Sequence, residues 1–346
     1  MTSTTSAVEP TVGKPVEDAT TPSRARSIPR AGWLVIASKE FGDHILSSRF
    51  LVLAIIMTVA AAVPLYFISG QIRDAPSGAT GFPALFIALF WLTPSVNDQI
   101  QLPSVVGFLA LVGPLLGLAF SFDAINGERA NGTLPRLLSQ PIHRDDVING
   151  KFAAGLAVIA MVVVVMILGV TSFALIRLGV VPEAVELLRI VLWILVTLTY
   201  IALWLAFGLL LSVGIRRAAT SALVGFGLWL FIAMPFIGPL LVSLLGTFVA
   251  SGATTQAEYA STVQWVARLL PGQVYAEASA ALLRPTLTSV SASEIYSTQA
   301  QQQIPTLFSF DQSFALIIPH VVILFALTVG CFALAYARFM RQEVRA

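Results

Sequence analysis

Most of the side chains that could do chemistry lie in one stretch of the sequence, residues 122–152. This stretch separates two long apolar runs that contain no charged residue, in a chain with only 11% charged residues. Its ionisable side chains are Asp123, Glu128, Arg129, Arg136, His143, Arg144, Asp145, Asp146 and Lys151. Charges of both signs at this density are typical of a water-exposed surface that binds a partner, so recognition is the chemistry we expect here.

Catalysis and metal binding have weaker support. His44 follows Asp43, and His143 lies close to Asp145, so either site could supply an acid–base pair or metal ligands. The chain has only three histidines, however, and none lies in an H-E-x-x-H-like arrangement. Solvation of helix ends is the simpler explanation, and we expect this chain to bind no cofactor, metal or nucleic acid.

The sequence does not contain the phosphate-binding loop of an ATPase. That loop needs the pattern G-x-x-x-x-G-K-[ST], so that backbone amides can surround the phosphate. Here Gly150-Lys151 is followed by Phe152, and Asp145 stands in place of the first glycine. We therefore expect a non-catalytic chain that does not hydrolyse ATP itself.

The elements that must position the charged stretch are membrane-spanning helices. The 346-residue chain is 57% apolar with a mean hydropathy of +0.85, which is too apolar for a soluble globule. Six runs have the roughly 20 apolar residues that a helix needs to cross a bilayer: 50–69, 104–122, 152–176, 190–214, 219–250 and 314–338. Pro235 and Pro239 interrupt the fifth run, which predicts a tilted or broken helix. The run 82–92 is too short to cross and predicts an interfacial or re-entrant segment.

The distribution of Lys and Arg predicts the orientation of these spans. With the N-terminus inside, 15 of the 20 basic residues lie on the cytoplasmic side and 5 on the outer side. We therefore expect six spans with both termini in the cytoplasm. Residues 1–31 are rich in Thr, Ser, Pro and Ala and lack the apolar core of a signal peptide, so we expect a disordered cytoplasmic tail there.

Local signals divide the loop 123–151 into short helices. The second span is expected to continue into water as a helix and to stop at Asn131-Gly132, where glycine suits the left-handed conformation. Thr133 can cap a second short helix, on which Leu134, Leu137 and Leu138 share one face. Such a helix suits a groove in a partner, but it could equally pack on neighbouring helix ends. The acidic residues that follow begin the third span, where they complement the positive helix end.

An amphipathic helix is expected at 32–49, ahead of the first span. Its apolar face carries Trp33, Ala37, Phe41 and Ile45, and its other side carries Lys39, Glu40, Asp43, His44 and Arg49. This pattern suits a helix in the headgroup layer of a membrane. The helix is either a plain anchor or an elbow that transmits motion into the first span.

The motifs of the loop resemble those of the ABC-2 type permeases of ABC transporters. The resemblance rests on the run FDAINGERANGTLPRLLSQPI at 122–142, followed by Arg144-Asp145-Asp146 and Gly150-Lys151-Phe152. Lys39-Glu40-Phe41 and the segment LPGQVY at 270–275 are similar to the same family, and most of all to the subgroup that includes the permease of nitrous-oxide reductase maturation. The resemblance extends over nearly all of the chain after residue 32.

This resemblance implies an all-α polytopic membrane protein with six transmembrane helices. It implies an ABC-2 transmembrane domain of the type V exporter kind at 32–346, with an elbow helix at 32–49 and the large outer loop at 251–313. The implied function is the permease subunit of an ATP-driven exporter in a prokaryotic cytoplasmic (inner) membrane. The implied partners are two copies of a separate ATPase that binds ATP and Mg, a second permease copy or close relative, the lipid bilayer, and an extracytoplasmic accessory protein.

In such permeases the loop between the second and third spans carries a coupling helix that docks on the ATPase. By this resemblance, the contact residues of the present chain are Glu128, Arg129, Gly132, Thr133, Leu134, Leu137, Leu138, Arg144 and Asp145. The sequence departs from the family pattern at Pro135, where a helix-favouring residue is more common. It also departs at His143, where a serine commonly caps the third span. Both departures bear on the docking geometry rather than on the role.

Two other functions stay open at the level of sequence. A subunit that only anchors a protein complex at the membrane would show the same features. An ion-coupled carrier usually has ionisable groups inside its spans, and the first five predicted spans have none. His320, near Asp311 in the sixth span, is expected to be interfacial.

The resemblance also suggests where cargo would pass. Spans two and five should line the path, and both are rich in glycine: Gly107, Gly113, Gly117, Gly225 and Gly227. Glycine permits close helix packing and equally suits a lipid-like or amphipathic cargo. The outer loop has a helix-like stretch at 275–283 and could form a lid, a partner site, or a cap on the outer helix ends.

Overall fold

The computed structural model describes residues 31–74, 85–96, 100–138, 143–233, 237–284 and 309–342, together with residue 2. The chain divides into two compact units at residue 31, and Gly32–Ala346 forms the larger one. The predicted disordered tail at 1–31 therefore lies almost wholly outside the described residues. The same is true of the polar part of the outer loop at 285–308.

The described part of the larger unit is helical apart from one antiparallel pair of two-residue strands, β1 (Ser95–Val96) and β2 (Ile100–Gln101). The helices are α1 (Gly32–Ile45), α2 (Ser48–Asp74), α3 (Leu85–Trp91), α4 (Val105–Ala119), α5 (Asn126–Ala130), α6 (Thr133–Leu138), α7 (Arg144–Leu178), α8 (Ala184–Gly214), α9 (Ala218–Ala233), α10 (Ile237–Val249), α11 (Gln256–Ala267), α12 (Pro271–Leu283) and α13 (Phe310–Arg341). A single 3-10 turn, Ala250–Gly252, follows α10.

Four helices in the described ranges are long and apolar enough to cross a membrane: α2, α7, α8 and α13. They correspond to the first, third, fourth and sixth predicted spans, which confirms a multi-pass helical protein. The second predicted span forms only the 15-residue helix α4. The fifth is described as two helices, α9 and α10, and Pro235, one of the two prolines predicted to interrupt it, lies outside the described residues. That these two runs also cross the membrane remains a prediction.

Helix α8 lies at the centre and packs against α4, α7, α12 and α13. Its contact with α4 depends on glycine. A Cβ atom placed on Gly117 would lie 2.7 Å from the backbone nitrogen of Leu205 and 2.8 Å from the carbonyl oxygen of Ile201. Small residues permit this close backbone approach, as the glycine-rich sequence of the second span suggested.

The helix-like stretch predicted at 275–283 is confirmed and begins earlier, with Pro271 in the first turn of α12. The ring of Tyr275 stacks on Tyr200 of α8 at 4.6 Å, and the indole N–H of Trp193 donates to Ser279 at 3.0 Å. Because most of α12 is buried on α3, α4, α8 and α13, this part of the outer loop packs on the bundle as a cap.

The helix predicted at 32–49 forms as α1 but ends at Ile45, and Phe41 and Ile45 of its predicted apolar face pack against the core. Ile36 is buried, and a Cβ atom on Gly150 of α7 would lie 2.8 Å from it. Glu40 and His44 were expected on the side facing water, yet Glu40 pairs with Lys151 of α7 and His44 contacts the ring of Phe120. The polar side was therefore assigned wrongly at these two positions, because their partners come from distant parts of the chain.

Candidate functional site

One end of the bundle collects the charged residues that the sequence singled out. We call it the charged end; it comprises α1, α5, α6, the first turns of α7, and the last turns of α8 and α13. Its side chains form a cleft of about 560 Å³ between α1, α5 and α7. The cleft is lined by Lys39, Glu40, His44, Arg49, Phe120, Asp123, Ala124, Gly127, Glu128, Asn131, Thr133 and Lys151.

The second span does not continue into water as one helix, contrary to the sequence prediction. Helix α4 ends at Ala119, and residues 120–125 form turns before α5 begins. The hydroxyl oxygen of Ser212 accepts hydrogen bonds from the backbone amides of Ile125 and Asn126, at 2.9 and 3.2 Å. The side-chain amide of Asn126 donates to the carbonyl oxygen of Ile215 at 3.2 Å. The end of α8 thus satisfies the first amides of α5, so the helix can restart in a new direction.

Lys151 is the ionic centre of the charged end. Its ammonium group lies 2.9 Å from Glu40 of α1 and 3.3 Å from Glu128 of α5, and its side chain is only 5% exposed. A buried ammonium is stable only when carboxylates pair with it, and here two do so. This single side chain therefore joins three helices.

Glu128 is held in its charged form. Burial alone would raise its pKa, but the hydroxyl of Thr133, which donates to the carboxylate, and the charge of Lys151 together lower the pKa of Glu128 below its ordinary value. Thr133 lies directly after Gly132, whose φ of 67° is left-handed, so the predicted glycine stop is confirmed. Thr133 is the first residue of α6, and its hydroxyl donates to Glu128 of α5; its role as the cap of α6 stays a prediction.

His44 and Arg49 complete the cleft. Burial lowers the pKa of His44, whose ring contacts Phe120 at 5.1 Å. The guanidinium of Arg49 lies 2.6 Å from the carboxylate of Asp123 and donates a hydrogen bond to it. No group of three or more possible metal ligands occurs in the part of the chain that the structure describes.

Asp146 joins the first turns of two helices. Its two carboxylate oxygens accept from the backbone amide of Trp33 in α1 and from that of His143 at the start of α7, both at 3.1 Å. A carboxylate is favourable at the positive end of a helix. The prediction that acidic residues begin the third span is confirmed, and the added bond to α1 was not foreseen.

Arg129 and Arg144 were predicted to contact a partner, and both bond to the end of α13. Arg129 donates to the side chain of Gln342, and Arg144 donates to the backbone oxygen of the same residue at 2.9 Å. Arg144 also lies over the ring of Phe339. These two arginines therefore connect the loop to the last helix.

The nine predicted contact residues fall into distinct environments. The tip at Asn131, Gly132 and Thr133 is exposed, whereas Leu134 is 1% exposed. The side chain of Leu134 therefore packs within the chain in this conformation, and its contact with a partner stays a prediction. The backbone of α6 is described to Leu138, but the side chains of Leu137 and Leu138 lie outside the described set. Asp145 is half-buried in the first turn of α7.

A second cavity, of about 590 Å³, lies between α4, α8 and the helices α9 to α12. Its wall is mainly apolar and aromatic, with Tyr200, Trp204, Trp229 and Tyr259 among its lining residues. Several polar tips are already bonded: the hydroxyl of Tyr200 donates to the oxygen of Ala110, and the indole of Trp229 donates to that of Leu111. The predicted second and fifth spans both contribute to this wall.

The outer surfaces of the long helices define the class of the protein. Large apolar side chains such as Leu51, Val165 and Phe325 point outward and are exposed. A soluble monomer rarely exposes so much apolar surface. The protein is therefore a multi-pass helical membrane protein with one charged end.

The chain belongs to the ABC-2 family transporter proteins, whose profile matches residues 34–344. It is similar to a probable ABC transporter permease protein NosY of Stutzerimonas stutzeri, with 26% identity over 206 residues, which cover 56% of this chain and 70% of the relative. It is also similar to the NosY permease protein of Pseudomonas aeruginosa, with 29% identity over 174 residues, which cover 47% of this chain and 62% of the relative. The resemblance inferred from the loop motifs is thus confirmed.

Proposed function

We propose that this protein is the permease subunit of an ABC transporter that exports its cargo, and that a separate ATPase docks on its charged end. Membership of the ABC-2 family supports the transporter part of the proposal. The observation that carries the docking part is the exposed tip at residues 131–133, where α5 gives way to α6. Residues of α5 bond to α7, α8 and α13, and Lys151 of α7 extends the connection to α1.

These bonds give the tip mechanical connections to the bundle. Glu128 connects it to α7 through Lys151, and Lys151 continues the connection to α1. Asn126 connects it to α8, and Arg129 connects it to α13. A push on the tip by a closing ATPase would therefore reach four helices at once, which is what an element that couples hydrolysis to transport needs.

The expected assembly is a symmetric dimer of this chain, or a pair with a close relative, carrying two ATPase subunits that bind ATP and Mg. Closed symmetric assemblies are the usual form of such parts. The apolar cavity of about 590 Å³ supports a path for an apolar or amphipathic cargo along α4 and α9.

Co-purification tests the docking. Leu137→Asp places a charge on α6, where it would enter the apolar part of the contact, so we expect the ATPase to be lost. Leu46→Asp is the matched control, because Leu46 is an exposed leucine of the same end that lies between α1 and α2. If Leu137→Asp retains the ATPase as well as Leu46→Asp does, α6 is not the docking helix.

A second variant separates a transporter from a subunit that only anchors a complex. Glu128→Ala removes one partner of Lys151, whereas the bonds of Asn126 and Arg129 still connect the tip to the bundle. We expect the ATPase to remain bound and its cargo-stimulated turnover to fall. Unchanged turnover would favour the anchoring function.

A further inference from the structure

The end of the bundle opposite the charged end contains a buried charged cluster that the proposed function does not use. The cluster consists of Arg268, Glu277 and His320. Glu277 of α12 is 0% exposed, and its Oε2 atom lies 2.8 Å from Nε of Arg268 and 2.9 Å from Nε2 of His320. Gln273 donates to the other carboxylate oxygen at 3.2 Å. His320 is itself buried in α13, so the cluster joins the outer cap to the last long helix.

This location corrects the sequence interpretation of His320. It was expected to be an interfacial residue near Asp311, but it is 4% exposed and its acidic partner is Glu277. The partner was not foreseen, because Glu277 lies 43 residues earlier in an alanine-rich helix.

The ring of His320 has a hydrogen-bond acceptor at each nitrogen. Nδ1 lies 2.9 Å from the carbonyl oxygen of Leu316, and a carbonyl oxygen can only accept, so Nδ1 carries a proton. Nε2 lies 2.9 Å from the carboxylate of Glu277, and a hydrogen bond there requires a second proton, on the ring or on the carboxylate. The pair thus holds one proton more than a neutral imidazole beside an ionised carboxylate.

We propose that Glu277 and His320 form a buried proton-binding site, and that the bound proton fastens α12 to α13. With the proton present, the imidazolium donates to the carboxylate in a charge-assisted hydrogen bond. When the proton leaves to water, the lone pair of Nε2 faces a carboxylate oxygen, and the attraction is replaced by repulsion. Arg268 and Gln273 still hold Glu277, so the contact that is lost is the one to α13.

The groups around Glu277 and His320 have partners of their own, so we assign the extra proton to this pair. Burial alone would raise the pKa of Glu277, but the hydrogen bonds from His320, Arg268 and Gln273 lower it below its ordinary value, which favours the charged carboxylate. Outside the charged end, the other charged or titratable groups on the elements packed here are Glu186, Arg189, Tyr200, Tyr275, Arg284, Asp311, Cys331 and, on α7, Arg177.

Most of these groups have other partners. Arg189 donates to Leu282 and Ser313, and Arg284 lies over the ring of Trp91. Glu186 accepts from the backbone amide of Glu183. The hydroxyl of Tyr275 pairs with Thr197, and Tyr200 donates to Ala110. Asp311 precedes His320 by nine helical residues, or roughly 13 Å along the axis.

Loss of the proton would also affect the apolar cavity, because α12 forms part of the cavity wall. Gly272, Gln273 and Ala276 line the cavity, and Gln273 bonds to Glu277 one turn further along the same helix. Loss of the proton would therefore loosen the helix that closes the cavity at this end.

Nitrogen NMR of the full chain in nanodiscs, with isotope-labelled histidine, tests the proton directly. The chain has only three histidines, so spectra of His44→Gln and His143→Gln assign the His320 signals by elimination. At pH 7 we expect either two protonated ring nitrogens on His320, or one protonated nitrogen together with a protonated Glu277 carboxyl in the infrared spectrum. A neutral ring beside an ionised Glu277 at pH 7 would overturn the proposal.

Hydrogen exchange of segment 271–283 tests the consequence. In His320→Phe, which cannot donate to Glu277, we expect the protection of this segment to fall by about tenfold or more, the usual effect of losing one charged hydrogen bond. His320→Gln can still donate to Glu277, so it should keep most of the protection of the parent. His143→Phe, the same change at the charged end, should behave like the parent. Equal protection of this segment in the parent and in His320→Phe would refute the fastening role.

Discussion

Replacement of Lys151 by methionine tests the connections of the charged end most sharply. Methionine keeps most of the length of the side chain but leaves Glu40 and Glu128 facing each other without the ammonium group between them. Removing one partner of a buried ion pair costs about 3–5 kcal/mol. Because the side chain of Glu128 is 23% exposed and water reaches it, we expect the lower end, about 3 kcal/mol.

The assay is thermal unfolding of the purified chain in detergent. A loss of about 3 kcal/mol corresponds to a decrease in Tm of about 4 °C for a chain of this size, because the unfolding entropy is roughly 2.1 cal/mol/K per residue. Lys39→Met is the matched control, since the Lys39 side chain is 64% exposed and its pair with Asp43 contributes at most about 1 kcal/mol.

A combined variant identifies the cause of the loss. Neutralising both acids in the background of Lys151→Met, with Glu40→Gln and Glu128→Gln, should restore a large part of the lost Tm, because no unpaired carboxylate remains. A Tm of Lys151→Met within 2 °C of the parent, as expected of the Lys39→Met control, would refute the claim that this lysine joins three helices. So would the absence of any rescue.

Three further changes test other contacts. Gly117→Ala should lower Tm, because its Cβ would lie under 3.0 Å from the backbone of α8 and overpacking costs about 1–3 kcal/mol; Gly227→Ala, in open space, should not. Asp146→Ala should speed hydrogen exchange in segment 33–45, since it removes the acceptor for the first turn of α1, whereas Asp145→Ala should leave that segment unchanged. The lowered pKa of Glu128 means that its stabilising contribution is present above pH 4.5 and is lost as the pH falls below that value, so the Tm of the parent should fall more steeply there than that of Glu128→Gln.

The sequence was most informative where a local rule decides the structure. Gly132 takes the left-handed conformation that the helix stop requires, and acidic residues begin α7 as the helix dipole favours. Apolar length identified the long helices, and the loop motifs identified the family, which the profile match confirms.

Contacts between distant segments could not be predicted in the same way. The start of α5 is fixed by Ser212, which follows 87 residues after Ile125 and is unremarkable in the sequence. From the sequence, Glu40 and Glu277 are each consistent with a solvated surface. In the structure, Glu40 pairs with Lys151 and Glu277 pairs with His320. Tertiary packing determines such partners, and the local periodicity of the sequence does not reveal them.

Site-specific photo-crosslinking in membranes tests the central proposal, docking of an ATPase at the charged end, most directly. A photoreactive amino acid at Asn131, in the exposed tip between α5 and α6, is compared with one at Thr254, exposed before α11 and outside the charged end. With the ATPase co-expressed, the account predicts a crosslink from Asn131 that changes in yield on addition of ATP, and none from Thr254. No crosslink from Asn131, or equal crosslinks from both positions, would contradict it.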